Sequence, residues 1–372
     1  MEDEARAPGL DPALGRSPLG RPGRGRAALS PARHDGARGG TDLYGPTYAA
    51  LDLGTNNCRL LIARATHDGF RVIDAFSRII RLGEGLTASG RLSEPAIARA
   101  IEALKVCRDK IRNRGATRAR LIATEACRLA ENCADFLARV REAVGIELEI
   151  VDRETEALLA ASGCTVLIDP QTQGAILFDI GGGSSELVKL LRNETEDRGP
   201  PKPKIEGWIS LPLGVVTLAE GHGGIAVTRE GFERMVAEVA AAIAPFAAAH
   251  GLADPQQFHL LGTSGTVTTI AGVHLNLRRY DRRRVDGCWM SEEEVSAVVE
   301  KLLAMSYEER IANPCIGAER ADLVLAGCAI LEAIRRAFPC KRLCVADRGL
   351  REGMLVTMMR ADGVWGEEPH AR

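Results

Sequence analysis

The chain reads as an α/β protein built from two similar halves, and three observations carry that expectation. Strand-like apolar runs alternate with helical ones from Tyr48 onward. Two hairpin-like stretches, "ALDLGTNNCRLLIAR" (50–64) and "LFDIGGGSSELV" (177–188), lie on one another with Asp52 on Asp179, Gly54 on Gly181, Asn57 on Ser184, Arg59 on Glu186 and Leu60 on Leu187. A third glycine turn, "FHLLGTSGTVTTIAGV", joins a strand to a helix.

The elements follow in chain order. "YAALDLG" and "CRLLIAR" flank Thr55, Asn56 and Asn57 and predict a hairpin with a polar turn, and "FRVIDAFSRIIRLG" supplies two more strand candidates. Ser93 and Pro95 open a helix whose Ile97, Ile101, Leu104 and Ile111 fall near helical spacing. "ARLIAT" predicts a buried strand, "DFLARVREAVG" a helix ending at Gly145, "IELEIVD" a strand, and "RETEALLAAS" a helix starting just after Asp152. "GAILFDIGGG" and "SSELVKLL" repeat the strand–turn–strand unit, "ETEDRGPPKPKIEG" has the composition of an exposed loop, and "WISLPLGVVTLAE" leads into an alanine-rich helix. "VADRGLREGMLVTMMR" predicts a helix from Asp347 that packs Leu350, Met354 and Met358 back on the body and closes the fold.

Length allows two domains at 372 residues, and the expected division is 46–160 and 161–345, with a helix at 346–360 and tails at 1–45 and 361–372. The first 45 residues are rich in Arg, Pro and Gly without apolar periodicity, the signature of a disordered extension, and they lack the apolar core of a secretory signal. A net charge of −2 makes an anionic partner a matter for a local patch and predicts no specific nucleic-acid partner. "LRRYDRRRVDG" (277–287), with five arginines, is the best such patch. The most apolar stretch is interrupted by Glu238, Pro245 and His250, so no membrane span is expected. Ten scattered cysteines without CxxC groupings suggest reduced thiols in a cytoplasmic protein.

Three glycines in a row at 181–183 cost conformational entropy that stability alone does not justify. Glycine turns at strand ends let several backbone N–H groups converge on an anion, phosphate above all. No Gly-Lys-Ser/Thr follows, which excludes a Walker A loop, and the leading acid excludes a dinucleotide fingerprint. Asp52, Asp179 and Glu186 on these turns would repel phosphate unless a hard divalent cation bridges them, so Mg²⁺ is the expected cofactor. Glu156, in the first turn of a helix that follows a strand, is placed to act as a base.

The combination "ALDLGTNNCRLLIAR", "RLGEGL", "ATEACRLAENCADFL", "EIVDRETEALLA", "LFDIGGGSSELV", "LGTSGTVTTIAG" and "DRGLREGML" resembles the exopolyphosphatase/guanosine pentaphosphate phosphohydrolase (Ppx/GppA) family, over about residues 48–360. That family belongs to the actin-like, sugar-kinase and heat-shock-protein ATPase superfamily. The resemblance implies two ribonuclease-H-like domains with the active site in the cleft between them, in the short two-domain form. It implies Glu156 as the residue that activates water, with Glu154 open as an alternative because the local run is "DRETEA". It also implies Asp52, Asp179 and Glu186 at the metal. Phosphate would be held by Gly54, Thr55, Asn56, Gly181, Gly182, Gly183 and Ser184 with Arg128 and Arg81. Asn57 stands where the family usually has Ser, and Ser185 where it has Thr. The implied activity is Mg²⁺-dependent hydrolysis of terminal phosphate from inorganic polyphosphate or from guanosine pentaphosphate. A superfamily kinase and a non-catalytic nucleotide sensor are the rival readings, and a homodimer is a further expectation.

Overall fold

A computed structural model describes residues 44–193 and 199–365. The expected N-terminal extension up to residue 43, the 194–198 part of the expected loop and residues 366–372 lie outside the described residues. The described residues cluster as one compact unit that carries two sheets.

The first sheet contains β1 (Tyr44–Leu53), β2 (Asn57–Ala65), β3 (Phe70–Ile79), β4 (Ala116–Ala123) and β5 (Glu149–Ile150), in the order β3-β2-β1-β4-β5. The second contains β6 (Gly174–Ile180), β7 (Ser185–Leu191), β8 (Lys204–Leu211), β9 (Phe258–Thr263), β10 (Cys288–Ser291) and β11 (Arg342–Ala346), in the order β10-β11-β9-β6-β7-β8. Each sheet has an antiparallel triplet with a parallel strand beside its first member, β4 on β1 and β9 on β6. The repeat therefore extends to register: Asp52 faces Arg59 across the first hairpin, and Asp179 faces Glu186 across the second. In both turns the first glycine N–H bonds the carbonyl three residues on, Gly54 to Asn57 and Gly181 to Ser184, each at 2.9 Å.

Two-residue strand periodicity decides which way the acids face. In β1, Ala49, Leu51 and Leu53 pack in the core with the helix Glu94–Asn113, and Tyr48 and Ala50 point to the opposite face. Asp52 belongs to that second face. In β6, Ile176, Phe178 and Ile180 enter the larger core, whereas Ala175 and Leu177 share the other face with Asp179. Between these two acid-bearing faces lies the helix Arg153–Cys164. Its Leu159 joins the cluster under β1, and its Ala157, Ala161 and Cys164 join the cluster under β6. This helix runs through residues 160 and 161, where the sequence suggests a division between halves.

The C-terminal helix starts at Leu350 rather than Asp347, because Gly349 is its N-cap, and ends at Ala361. It covers the remaining face of the first sheet with Leu350, Met354, Leu355, Val356 and Met359, and Met358 packs at the edge. Glycines allow a very close approach to the helix Arg153–Cys164. A Cβ on Gly353 would sit 1.8 Å from the Leu159 carbonyl oxygen, and one on Gly163 2.1 Å from that of Gly349. The segment expected as a tail from 361 is ordered through Trp365, whose indole donates to the Thr66 carbonyl at 3.0 Å.

Other boundaries differ from expectation for local reasons. "FRVIDAFSRIIRLG" contributes one long strand, β3, rather than two, because Phe70–Ile79 pair with β2 across a single irregularity. "IELEIVD" contributes only the two-residue β5, at the edge of the sheet. Lys204–Gly207, expected in a loop, belong to β8 through pairing with β7.

Candidate active site

One cavity collects residues from both hairpins and from the intervening helix. Asp52, Asp179, Glu186 and Glu156 line it together with both turns, Thr124, Glu125 and the junction Ser264–Thr266. Asp52 and Asp179 thus open into the same space as Glu156. Glu154 is exposed and does not line it.

The backbone of the turns is arranged for an anion. Their carbonyls are tied back: Thr55 O accepts from Gly83 N at 2.9 Å, and Asn56 O from Ile80 N at 2.9 Å and Arg81 N at 3.1 Å. Gly181 O accepts from Val215 N at 2.9 Å and Gly182 O from Val216 N at 2.8 Å. The N–H groups of Thr55, Asn56, Gly182 and Gly183 keep no backbone acceptor among the described residues. Converging free N–H groups with their carbonyls averted form an anion nest. The glycines also serve packing, since a Cβ on Gly182 would lie 2.9 Å from Thr55 Cβ and one on Gly183 2.9 Å from Thr55 Oγ1. The two turns meet directly, and side chains there would force them apart.

The carboxylates are held in a state that favours a cation. Burial pushes Asp179 up to about 6, against the lowering influence of Arg59 and with Asp52 raising it further. Burial and the charge of Asp179 push Glu186 up to about 7, although Ser184 and Ser210 hydroxyls donate to it at 2.8 and 2.9 Å. Burial also raises Asp52, which Arg59 and Arg351 counter. Glu156 is raised by burial and by Glu186, with Arg128 opposing.

A divalent ion fits this donor set. The donors are hard oxygens, and the buried Oδ1 atoms of Asn56 and Asn57 and Oγ of Ser264 have no hydrogen-bond partner. Among the described residues no group of three His, Cys, Asp or Glu side chains is close enough to hold a metal alone. An ion here would complete its shell with water and substrate oxygens, the usual habit of Mg²⁺.

These raised values carry a sign. Between the unfolded range near 4 and about 6–7 the folded protein binds more protons than the unfolded chain, so its stability is greatest at the acid side and falls as pH rises through 6–7. Metal-free protein is therefore expected to melt at a lower temperature at pH 8 than at pH 6. Mg²⁺ should restore more stability at pH 8, because bound metal displaces protons. Thermal melts at the two pH values with and without Mg²⁺ check this, and an Mg²⁺ effect equal at both would contradict it.

Arginines share this lining with the acids. Arg59 and Arg320 line the cavity, and Arg351 joins them where it opens into an adjoining cavity of about 480 Å³. None of the three is in an ion pair among the described residues. The guanidinium of Arg320 lies over Gly265, where a Cβ would be 3.4 Å from its Cζ. Arg320, Arg351 and Glu125 were not expected at the site. Glu125 and Arg351 lie in the quoted stretches "ATEACRLAENCADFL" and "DRGLREGML", whereas Arg320 arrives from a distant segment without a local pattern.

Arg81 and Arg128 are not brought to the cavity wall. The Arg81 side chain makes a two-pronged ion pair with Asp322 at 3.1 and 3.2 Å, while its main-chain N–H supports the first turn. The Arg128 guanidinium is used up behind Glu156: Nη2 donates to Glu156 at 2.8 Å, Nε to Glu125 at 2.8 Å, and Nη1 to the Val151 carbonyl at 2.8 Å. The arginine cluster 277–287 does not act as one patch either, because Arg282 turns inward to pair with Glu352 at 2.8 Å.

Two mirrored hairpins, a phosphate-shaped nest and an acid-lined cavity define a hydrolase of phosphoanhydride bonds. The chain belongs to the Ppx/GppA phosphatase family, whose sequence pattern matches residues 61–362. Its fold matches the Aquifex aeolicus family member with a TM-score of 0.69 at 28% identity, over 85% of this chain and 98% of that one. An exopolyphosphatase-like protein matches with a TM-score of 0.75 at 29% identity, over 85% and 99%. An exopolyphosphatase from Cytophaga hutchinsonii shares the fold with a TM-score of 0.76 at 23% identity, over 85% and 98%. The two-half α/β architecture expected from the sequence is the one present. Among the described residues no helix is long and apolar enough to cross a membrane.

Proposed function

We propose that the protein is an exopolyphosphatase that removes the terminal phosphate of inorganic polyphosphate by direct attack of water. The observation that carries the reading is that one cavity gathers the N–H groups of both turns, the carboxylates of Asp52, Glu156, Asp179 and Glu186, and two arginines, Arg59 and Arg320, that are in no ion pair among the described residues. The terminal phosphoryl group sits on the N–H groups of Thr55, Asn56, Gly182 and Gly183. The next phosphates run toward Arg59, Arg320 and Arg351, into the adjoining cavity. Asp52, Asp179 and Glu186, together with water and substrate oxygens, would hold a Mg²⁺ ion, which supplies positive charge to the phosphate oxygens when bound. Glu156 orients the water in line with the anhydride bond and takes its proton, while the shortened chain leaves. The ten cysteines are all free thiols, which supports a reducing, cytoplasmic setting.

Phosphate release from long-chain polyphosphate, guanosine pentaphosphate and ATP, each with and without Mg²⁺, tests the proposal. Mg²⁺-dependent release from polyphosphate is expected. Release from the pentaphosphate alone would move the assignment to that nucleotide, whose triphosphate end presents the same anhydride. ATP use only with an acceptor would make the protein a kinase.

A further inference from the structure

Resting on the assignment of Glu156 as base, we propose that Glu125 is a positioning residue that fixes Glu156 through Arg128. Glu125 is almost wholly enclosed, its side chain 2% exposed, and both of its oxygens are occupied. Oε2 takes Arg128, with Nη2 at 2.6 Å and Nε at 2.8 Å; Oε1 takes Arg153 Nη2 at 2.6 Å. Arg128 in turn reaches Glu156 Oε2 at 2.8 Å.

The geometry makes this chain of contacts directional. Arg128 is planar and forked, so fixing its Nε edge and its Nη1 on the Val151 carbonyl fixes where Nη2 points. One oxygen of Glu156 is thereby pinned, and the other is left for water. Arg153 and Glu156 sit in the same first helical turn, so Glu125 also anchors that turn from outside, through Arg153. Glu125 itself starts the short helix after β4 and rests on the second glycine turn, its Cγ 3.2 Å from where a Gly183 Cβ would be. The base, its arginine and the nest are thus referenced to one buried carboxylate.

Steady-state hydrolysis of long-chain polyphosphate by E125Q, R153Q and E125D, with D74N as control, tests the role. Asp74 carries a comparable double ion pair, to Lys110 and Arg114 at 2.8 Å each, outside the cavity. E125Q is expected to lower kcat on the order of 10-fold or more with KM within about threefold, since a pinned base matters to the reaction rather than to binding. R153Q should lose less in the same direction, and E125D, which keeps the charge, should recover part of the E125Q loss. D74N should lower the melting temperature and leave kcat unchanged. Should E125Q fail to fold, R153Q carries the test. The inference is overturned if the Glu125 and Arg153 variants keep wild-type kcat, if they act on KM, or if D74N loses kcat as they do. E156Q, assayed beside them, separates the two readings: normal activity in E156Q refutes the base, whereas a dead E156Q beside a fully active E125Q refutes only the positioning.

Discussion

E156Q is expected to fold normally, to bind polyphosphate, and to release phosphate roughly 10²–10⁴-fold more slowly, the usual contribution of a positioned general base. Glutamine keeps the shape and one acceptor oxygen for Arg128, so the packing around the cavity survives. It cannot take a proton from water. The exposed neighbour supplies the control, because E154Q should stay within about twofold of the unaltered enzyme. Single-turnover phosphate release, with melting curves for both variants, decides the matter. An E156Q that keeps most of its rate would remove Glu156 from the chemistry.

The second large effect falls on stability. G353A adds one methyl group where its position lies 1.8 Å from the Leu159 carbonyl oxygen, a backbone atom that cannot swing aside. Overpacking of this kind costs about 1–3 kcal/mol and more when the neighbour is rigid. A fall in melting temperature of roughly 2–5 °C is expected on the scale for chains of this size. Activity should fall as well, since the displaced helix carries Glu156. Gly221 gives the opposite expectation. It lies in the helix Val215–His222 with nothing within 4 Å of an added Cβ, so G221A should stabilise by about 0.5–1 kcal/mol. Differential scanning calorimetry of both variants reads the contrast, and equal shifts for the two would refute the packing argument.

Much of the site was written locally. Asp52 and Asp179 were legible because an acid at the end of an apolar strand, followed by glycine, has no structural reason to be there, and because the pattern occurs twice. Glu156 was legible because Asp152 caps its helix, accepting from Thr155 N at 2.7 Å, and so fixes which residues occupy the first turn. Arg128 and Arg81 show the limit of such reading. Motif position placed them near phosphate, but which way a guanidinium turns is decided by its carboxylate neighbours, and of these Glu156 and Asp322 come from other segments. Arg320 and Arg351 reach the cavity only through packing between residues far apart in sequence. β5 was overestimated because an apolar alternation cannot report that its strand lies at an edge with two paired residues.

The close fit of the helix Leu350–Ala361 against the first sheet has a consequence for biosynthesis. On the ribosome, β1, β2 and β4 emerge early, yet most of the cover for Tyr48, Ala50, Leu61 and Ala63, Leu350 to Met359, is made only after the strands of the second sheet. Until the chain is complete, the first half lacks the C-terminal cover of this apolar side, and exposed apolar surface of that kind is prone to aggregate. Final docking of this late helix is what turns two partly made lobes into an enzyme.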